Sequence, residues 1–192
     1  DADHGTHVAG IIAAMRRNEL GMDGIALNAR IMVLRAVPSG DERDKDVANA
    51  IRYAVDNGAK IINMSFGKSY SPQPELVQAA VAYARSKDVL IVHAAGNDAQ
   101  DIDKNNNFPQ PFDAQGNRYD HWIEVGASSF QFGKNITAEF SNYGPQSVDV
   151  FAPGHLIYAT MPGNAYDFNS GTSMAAPVVS GMAALIRGMY PE

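Results

Sequence analysis

Cysteine is absent from the 192 residues, which removes disulfides, thiolate metal sites and a cysteine nucleophile while leaving the compartment undecided. Long apolar runs are missing too. Stretches such as Val89–Val92 fall far short of the roughly 20 residues that a membrane span requires. Cations are scarce and scattered: 15 Lys and Arg stand against 21 Asp and Glu, for a net charge of −6. No basic stripe can therefore follow a phosphate backbone, and nucleic acid is not an expected partner. What remains is 45% hydrophobic and 19% charged, with 17 Gly and 10 Pro. That is too apolar for a disordered tail and too mixed for a fibre, and the length suits one good-sized domain. Size scaling puts about 70% of the unfolded chain's surface in the interior, enough for a genuine core. No starting methionine, leader or opening strand precedes Asp1-Ala2-Asp3, so a piece of a longer chain is expected.

Periodicity predicts an α/β organisation. Apolar positions at His7, Val8, Ile11, Ile12 and Met15 mark a helix with one buried face and His4 at its start. Ile31–Ala36 is a short β-branched run without alternation, as expected of a strand covered on both faces of a parallel sheet. Val47, Ile51, Ala54 and Val55 form a second helical stripe, stopped by Gly58. A strand at Lys60–Met64, a helix opened by Pro74 and a strand at Val89–His93 complete a β-α-β-α-β pattern. Right-handed crossovers make such a sheet parallel, and ligands gather beyond the carboxyl ends of its strands. Those ends carry Ser65-Phe66-Gly67 and Ala94-Ala95-Gly96-Asn97. The polar stretch from Asp98 to Asp120 reads as a long surface loop. Strands are expected at Trp122–Gly126, Val148–Phe151 and Leu156–Thr160, and a last helix over Thr172–Met189.

Three segments could carry chemistry. In Gly171-Thr172-Ser173-Met174-Ala175-Ala176-Pro177 a serine lies at the first turn of a helix, where backbone N–H groups and the dipole favour a developing anion. An ordinary capping serine is the plain alternative, and the Gly-x-Ser-x-Gly elbow of α/β-hydrolases is broken by Ala175. In His4-Gly5-Thr6-His7-Val8-Ala9-Gly10 a histidine at a helix start can act as a general base. Two structural histidines, or two metal ligands three residues apart, are the competing readings, although no carboxylate follows in the zinc-peptidase pattern. In His93-Ala94-Ala95-Gly96-Asn97-Asp98 a carboxamide at a strand end offers uncharged donors to an oxyanion, or serves as a simple turn residue.

Taken in chain order, these segments resemble the subtilisin-like serine peptidases, the subtilase family. The motifs HGTHVAG, AAGN and GTSMAxP match at positions 4–10, 94–97 and 171–177, with support from Asn63–Gly67, Phe140–Pro145 and Val150–Gly154. The resemblance implies a three-layer subtilisin-like fold, with a mainly parallel sheet flanked by helices. It implies that Ser173 is the nucleophile, His4 the general base and acid, and Asn97 the side-chain oxyanion donor, with the Ser173 N–H as second donor. It also implies that extended substrate pairs with Ser65, Phe66 and Gly67, lines a pocket with Ala94, Ala95 and Gly96, and is gripped from the other side by Val37–Asp41.

The sequence departs from the family in four places. Lys68 stands where a second glycine is common. The edge at Gly40-Asp41-Glu42 is acidic, which suits either a solvated loop or a taste for basic residues upstream of the cleaved bond. The family's third catalytic member, an aspartate ending a strand upstream of the histidine helix, has no counterpart here; Asp3 adjoins His4 and is not a substitute. The family also continues well past Ser173, whereas 19 residues follow it in this chain. Residues 1–192 are thus expected to be a partial peptidase domain cut at both ends, with the aspartate strand missing between Ile31–Ala36 and Lys60–Met64. Rearrangement, strand exchange or self-association, or further polypeptide would then close the gap. A polypeptide substrate and an extracytoplasmic location follow from the family. No cofactor is implied. A stabilising calcium stays open, since Asp101, Asp103 and Asn105 alternate like part of a calcium loop without its glycine or closing glutamate. His121 and His155 read as structural or solvated, and Trp122 as core. The competing function is an inactive subtilase domain that binds peptides or partners; an esterase lacks its elbow.

Overall fold

The computed structural model describes residues 2–37, 40–131 and 133–190. Helix α1 (Ala2–Ala13) opens the chain and α2 (Asp44–Asp56) follows. Strand β1 (Ile61–Met64), helix α3 (Pro74–Ser86) and strands β2 (Leu90–Ala94), β3 (Trp122–Ser128) and β4 (Val150–Pro153) come next. The hairpin β5 (Ile157–Met161) and β6 (Ala165–Asn169) leads into α4 (Thr172–Met189). Strands β1-β2-β3-β4 form a parallel sheet in that order, with Met64 beside His93 and His93 beside Glu124.

Because side chains alternate across a strand, each strand feeds two layers. Ile91 and Trp122 join Val47, Ile51, Val77 and Val81 under α2 and α3. Val92, Ala94, Val125 and Ala127 turn the other way, onto Ala175 and Ala176 of α4. A third cluster, Ile11, Ala159 and Met174, binds α1 to the hairpin and to the first turn of α4. These are the three layers expected, and they bring the start of α4 to the side of α1.

Ile31–Ala36 does not form the expected strand. Residues 30–37 carry no regular structure, and Ile31, Met32 and Val33 are 42%, 41% and 75% exposed. A strand of a parallel sheet needs neighbours for its N–H and C=O groups, and among the described residues the sheet stops at β1. Ala36 N–H instead bonds locally to the Leu34 carbonyl at 3.1 Å. The run and β1 are therefore not joined, and the gap between them is not closed by rearrangement of these residues. Such surface adds to a total of 10942 Å² exposed, against about 8,900 Å² for a chain of this mass. Strand β6 was not expected. It pairs antiparallel with β5 through a turn in which Gly163 and Asn164 take positive φ of 77° and 58°. The polar loop after β2 is also less superficial than its composition suggests: Phe108 and Lys68 exchange backbone hydrogen bonds of 2.7 and 3.1 Å.

Lys68, the departure from glycine, ties the exit of β1 to the start of α2. Its ammonium lies 2.8 Å from Asp44 Oδ1, with both side chains buried, and donates to the Glu42 carbonyl at 2.7 Å. Asp44 also accepts from the Ser71 hydroxyl at 2.8 Å and the Gln73 N–H at 2.9 Å. Burial pushes the Asp44 pKa up, but the Lys68, Ser71 and Gln73 hydrogen bonds outweigh it and hold the carboxyl below its ordinary value. Glu42 is likewise not part of a solvated acidic loop. Its carboxyl is buried, and that burial raises its pKa.

Two predictions follow from these joints, both read by urea unfolding. Lys68→Met strands the Asp44 carboxylate and is expected to cost about 3–5 kcal/mol. Because the Asp44 pKa is depressed by folding, its stabilising share is present above the unfolded pKa and lost as pH falls through the folded one; the deficit of the variant therefore narrows in acid. At Gly10, an added Cβ would lie 2.0 Å from Thr160 Oγ1, the hydroxyl that bonds the Thr6 carbonyl at 2.9 Å. Gly10→Ala should cost about 1–3 kcal/mol by prising α1 from the hairpin.

Candidate active site

Ser173 occupies the first turn of α4, half-buried, where the free N–H groups of the helix start concentrate positive potential. Its hydroxyl donates to the Ser65 carbonyl at 3.2 Å, and the Ser65 hydroxyl returns a bond of 2.9 Å to the Ser173 carbonyl. Behind Ser65, the Asn63 amide donates to the Ser65 hydroxyl at 2.9 Å and accepts from the Ser180 hydroxyl at 2.9 Å. The end of β1 is thereby stitched to α4 through two polar rungs.

Asn97 reaches the same helix start from the end of β2. Its Oδ1 accepts from the Thr172 N–H at 2.8 Å and the Thr172 hydroxyl at 3.0 Å. The Thr172 hydroxyl in turn accepts from the Gly96 N–H at 3.1 Å. With the oxygen so occupied, the amide orientation is fixed and the Nδ2 hydrogens are left to donate elsewhere. Gly96 must be glycine: its φ is +100°, and a Cβ would sit 2.3 Å from Asn142 Nδ2. The Asn142 carboxamide holds the turn, donating to the Ala95 carbonyl at 2.8 Å and accepting from the N–H groups of Asp98 and Gln100, both at 3.0 Å.

His4 lies in the first turn of α1, half-buried. One turn along, Val8 packs against the cluster containing Met174, the neighbour of Ser173. Burial lowers the His4 pKa below its ordinary 6.5, with the His7 imidazole adding to the effect. His7 itself is fully buried, and its Nε2 faces the carbonyls of Ile157 at 3.1 Å and Asp167 at 3.2 Å. A carbonyl only accepts, so Nε2 carries the hydrogen and this histidine fastens α1 to the β5–β6 hairpin.

Ser65, Phe66 and Gly67 follow β1, and Ala94, Ala95 and Gly96 close β2 and begin its loop. Asn107 lies between the two segments, donating to the carbonyls of Ala94 at 3.3 Å and Ala95 at 3.0 Å. A Cβ on Gly67 would meet its Oδ1 at 2.7 Å. Val37 is half-buried; Pro38 and Ser39, part of the expected gripping edge, lie outside the described residues. Asp101 and Asp103 serve loop closure: Asp101 pairs with Lys104 at 2.6 Å, and Asp103 accepts from the N–H groups of Gln146 at 3.1 Å and Ser147 at 2.8 Å. Thr172 and Asn142 lie inside quoted motifs, yet nothing in a linear reading separates them from their neighbours as organisers of the site. Asn107 and Ser180 carry no signal at all, since both act only through the tertiary fold.

Known proteins resemble the chain in sequence and in fold. The sequence profile of the Subtilase family matches residues 1–192. The thermophilic serine proteinase of Bacillus sp. (strain AK1) is 43% identical over 185 residues, covering 96% of this chain and 42% of that protein. Thermitase of Thermoactinomyces vulgaris is 40% identical over 184 residues, covering 95% and 60%. Among solved structures, sphericase superposes with a TM-score of 0.81 at 34% identity, covering 99% of this chain and 64% of the other. The chain spans about half the length of the curated relatives it matches. With its whole length matched and its sheet, helices and motifs in the family's order, the chain belongs to the subtilase family.

Proposed function

We propose that the protein to which these residues belong is a serine endopeptidase that hydrolyses peptide bonds through an acyl-enzyme. The observation that carries this reading is the fixed Asn97 carboxamide, held through its oxygen by Thr172, the residue before Ser173. Ser173 Oγ attacks the scissile carbonyl carbon while His4 accepts its proton. The oxyanion is met by Asn97 Nδ2 and the Ser173 N–H, and His4 then gives the proton to the departing amine. Water enters by the same steps in reverse and frees the serine. Burial favours the neutral imidazole at His4, the form a base requires.

The carboxylate that orients His4 is assigned to polypeptide outside these 192 residues. The unpaired edge of β1 and the exposed run at residues 31–33 suit coverage by such polypeptide, from the same protein or a neighbouring copy. Substrate polypeptide would pair along Ser65–Gly67, with Ala94–Gly96 forming the pocket wall and Val37 on the facing edge. The mechanism calls on side chains and backbone donors alone, so no cofactor is assigned. An extracytoplasmic location is proposed from the family; among the described residues no helix is long and apolar enough to cross a membrane.

The test is labelling of the full-length protein by a fluorophosphonate. Ser173→Ala should abolish it, and persistence of the label refutes the assignment. Absence of label on the unmutated protein favours the inactive, peptide-binding reading. Asn97→Leu should lower kcat by about 10²–10³-fold with little change in KM, the size expected for one lost oxyanion donor. In the 192-residue chain, NMR titration should place His4 below 6.5; a higher value contradicts the burial described.

A further inference from the structure

We infer that His93 and Glu124 form a buried positioning pair that sets the peptide-binding edge at Ser65–Gly67. This rests on the proposed peptidase reading. His93 and Glu124 are register partners on β2 and β3, 0% and 1% exposed. His93 Nδ1 lies 2.9 and 3.0 Å from the two carboxyl oxygens, and the Trp122 indole N–H donates to Oε2 at 2.7 Å. On the far side of the ring, His93 Nε2 is 2.8 Å from the Phe66 carbonyl. That carbonyl can only accept, so Nε2 carries a hydrogen.

Strand pairing does not require these residues. Their same-face neighbour Ile91 is apolar, as is the cluster under α2 and α3 that they adjoin; a further charged group near His93 is the buried Glu42 carboxyl, and burying ionisable groups there is costly. The group they reach beyond β2 and β3 is the Phe66 carbonyl, two residues past the end of β1. Successive carbonyls of an extended chain point to opposite sides. Ser65 carbonyl faces Ser173, from whose hydroxyl it accepts at 3.2 Å. Drawing the Phe66 carbonyl inward to His93 leaves the Gly67 carbonyl, on the opposite side, to face a bound strand. Tilted and edge-on contacts of the ring with Trp122 at 5.3 Å and Phe66 at 6.4 Å fix its orientation.

The test uses the full-length protein carrying His93→Leu together with Glu124→Leu, an apolar replacement of a buried pair that need not cost stability. His93→Gln, which keeps a side-chain N–H, is the conservative variant. In the double variant the KM for a tetrapeptide anilide should rise roughly 10- to 100-fold, the size of one lost charge-assisted hydrogen bond. Hydrolysis of a single-residue ester and fluorophosphonate labelling should stay within about twofold, and His93→Gln should recover part of the loss. The affinity of the same peptide for these variants on a Ser173→Ala background should fall in parallel, whether or not the protein cleaves. Unchanged peptide affinity, or equal losses on the short ester and the tetrapeptide, overturns the inference. Failure of the unmutated protein to label overturns the peptidase reading instead. Should the double variant not fold, wild-type KM and peptide affinity in folded Glu124→Gln, which removes the carboxylate, likewise overturn the inference.

Discussion

The junction between Asn97 and Thr172 is the contact on which the rest of the site depends. One carboxamide oxygen takes both the backbone N–H and the hydroxyl of Thr172, at 2.8 and 3.0 Å. It thereby caps the start of α4 from a loop that left the sheet about 75 residues earlier in the chain. The same bonds satisfy a helix-terminal N–H, fix the amide's orientation and place its free donors at the positive end of the helix. Stability and, on the proposed mechanism, oxyanion binding are served by one interaction. Asn142 performs the complementary task of holding the turn from Ala95 to Gln100 in shape, so that the carboxamide arrives without mobile backbone behind it.

The two faces of the sheet divide the remaining work. The α4 face carries small hydroxyl and amide groups, Asn63, Ser65 and Ser180, which link β1 to the helix that starts at Thr172 and Ser173. The opposite face carries the larger buried pair of His93 and Glu124 beneath α2 and α3. Period-two alternation along the strands delivers the two kinds of group to different layers, so neither network disturbs the packing of the other.

Much of this was legible in the sequence, because the strongest local signals are also the ones packing rewards. Helix α2 stops two residues before the expected Gly58, α3 opens at the expected Pro74, and β1 to β5 occur within about two residues of the expected strands. The run at residues 31–36 shows what such signals omit. Its composition fits a covered strand, yet a strand exists only through a neighbour's hydrogen bonds, and the described residues contain no such neighbour for it. Strand β6 failed for the opposite reason. Ala165–Asn169 is too polar to read as a strand by composition, but the turn at Gly163 and Asn164 folds it back onto β5. Within the site, His4, Asn97 and Ser173 stand out because they lie in the motifs HGTHVAG, AAGN and GTSMAxP, at two helix starts and a strand end. Thr172, Asn107 and Ser180 do not, since an ordinary threonine, asparagine or serine becomes an organiser only when a distant atom comes within 3 Å or so.

The segment after β1 shows how these constraints combine. Ser65, Phe66 and Gly67 have no regular structure, and a short unpaired stretch of backbone at a sheet edge would ordinarily fray. Here consecutive residues are anchored to different layers. Ser65 is bound to Ser173 on α4 in both directions, the Phe66 carbonyl is bound to His93 below the sheet, and Gly67 is pressed against Asn107 from the loop after β2. A ladder partner on the open side would immobilise the same peptide groups, but it would also consume the donors and acceptors that an incoming polypeptide needs. Anchoring from the layers above and below uses the Ser65 and Phe66 carbonyls and puts no ladder partner along the open side. Such an arrangement lets an edge be rigid without a ladder partner, so that on the proposed reading the buried polar groups beneath it serve binding as well as folding.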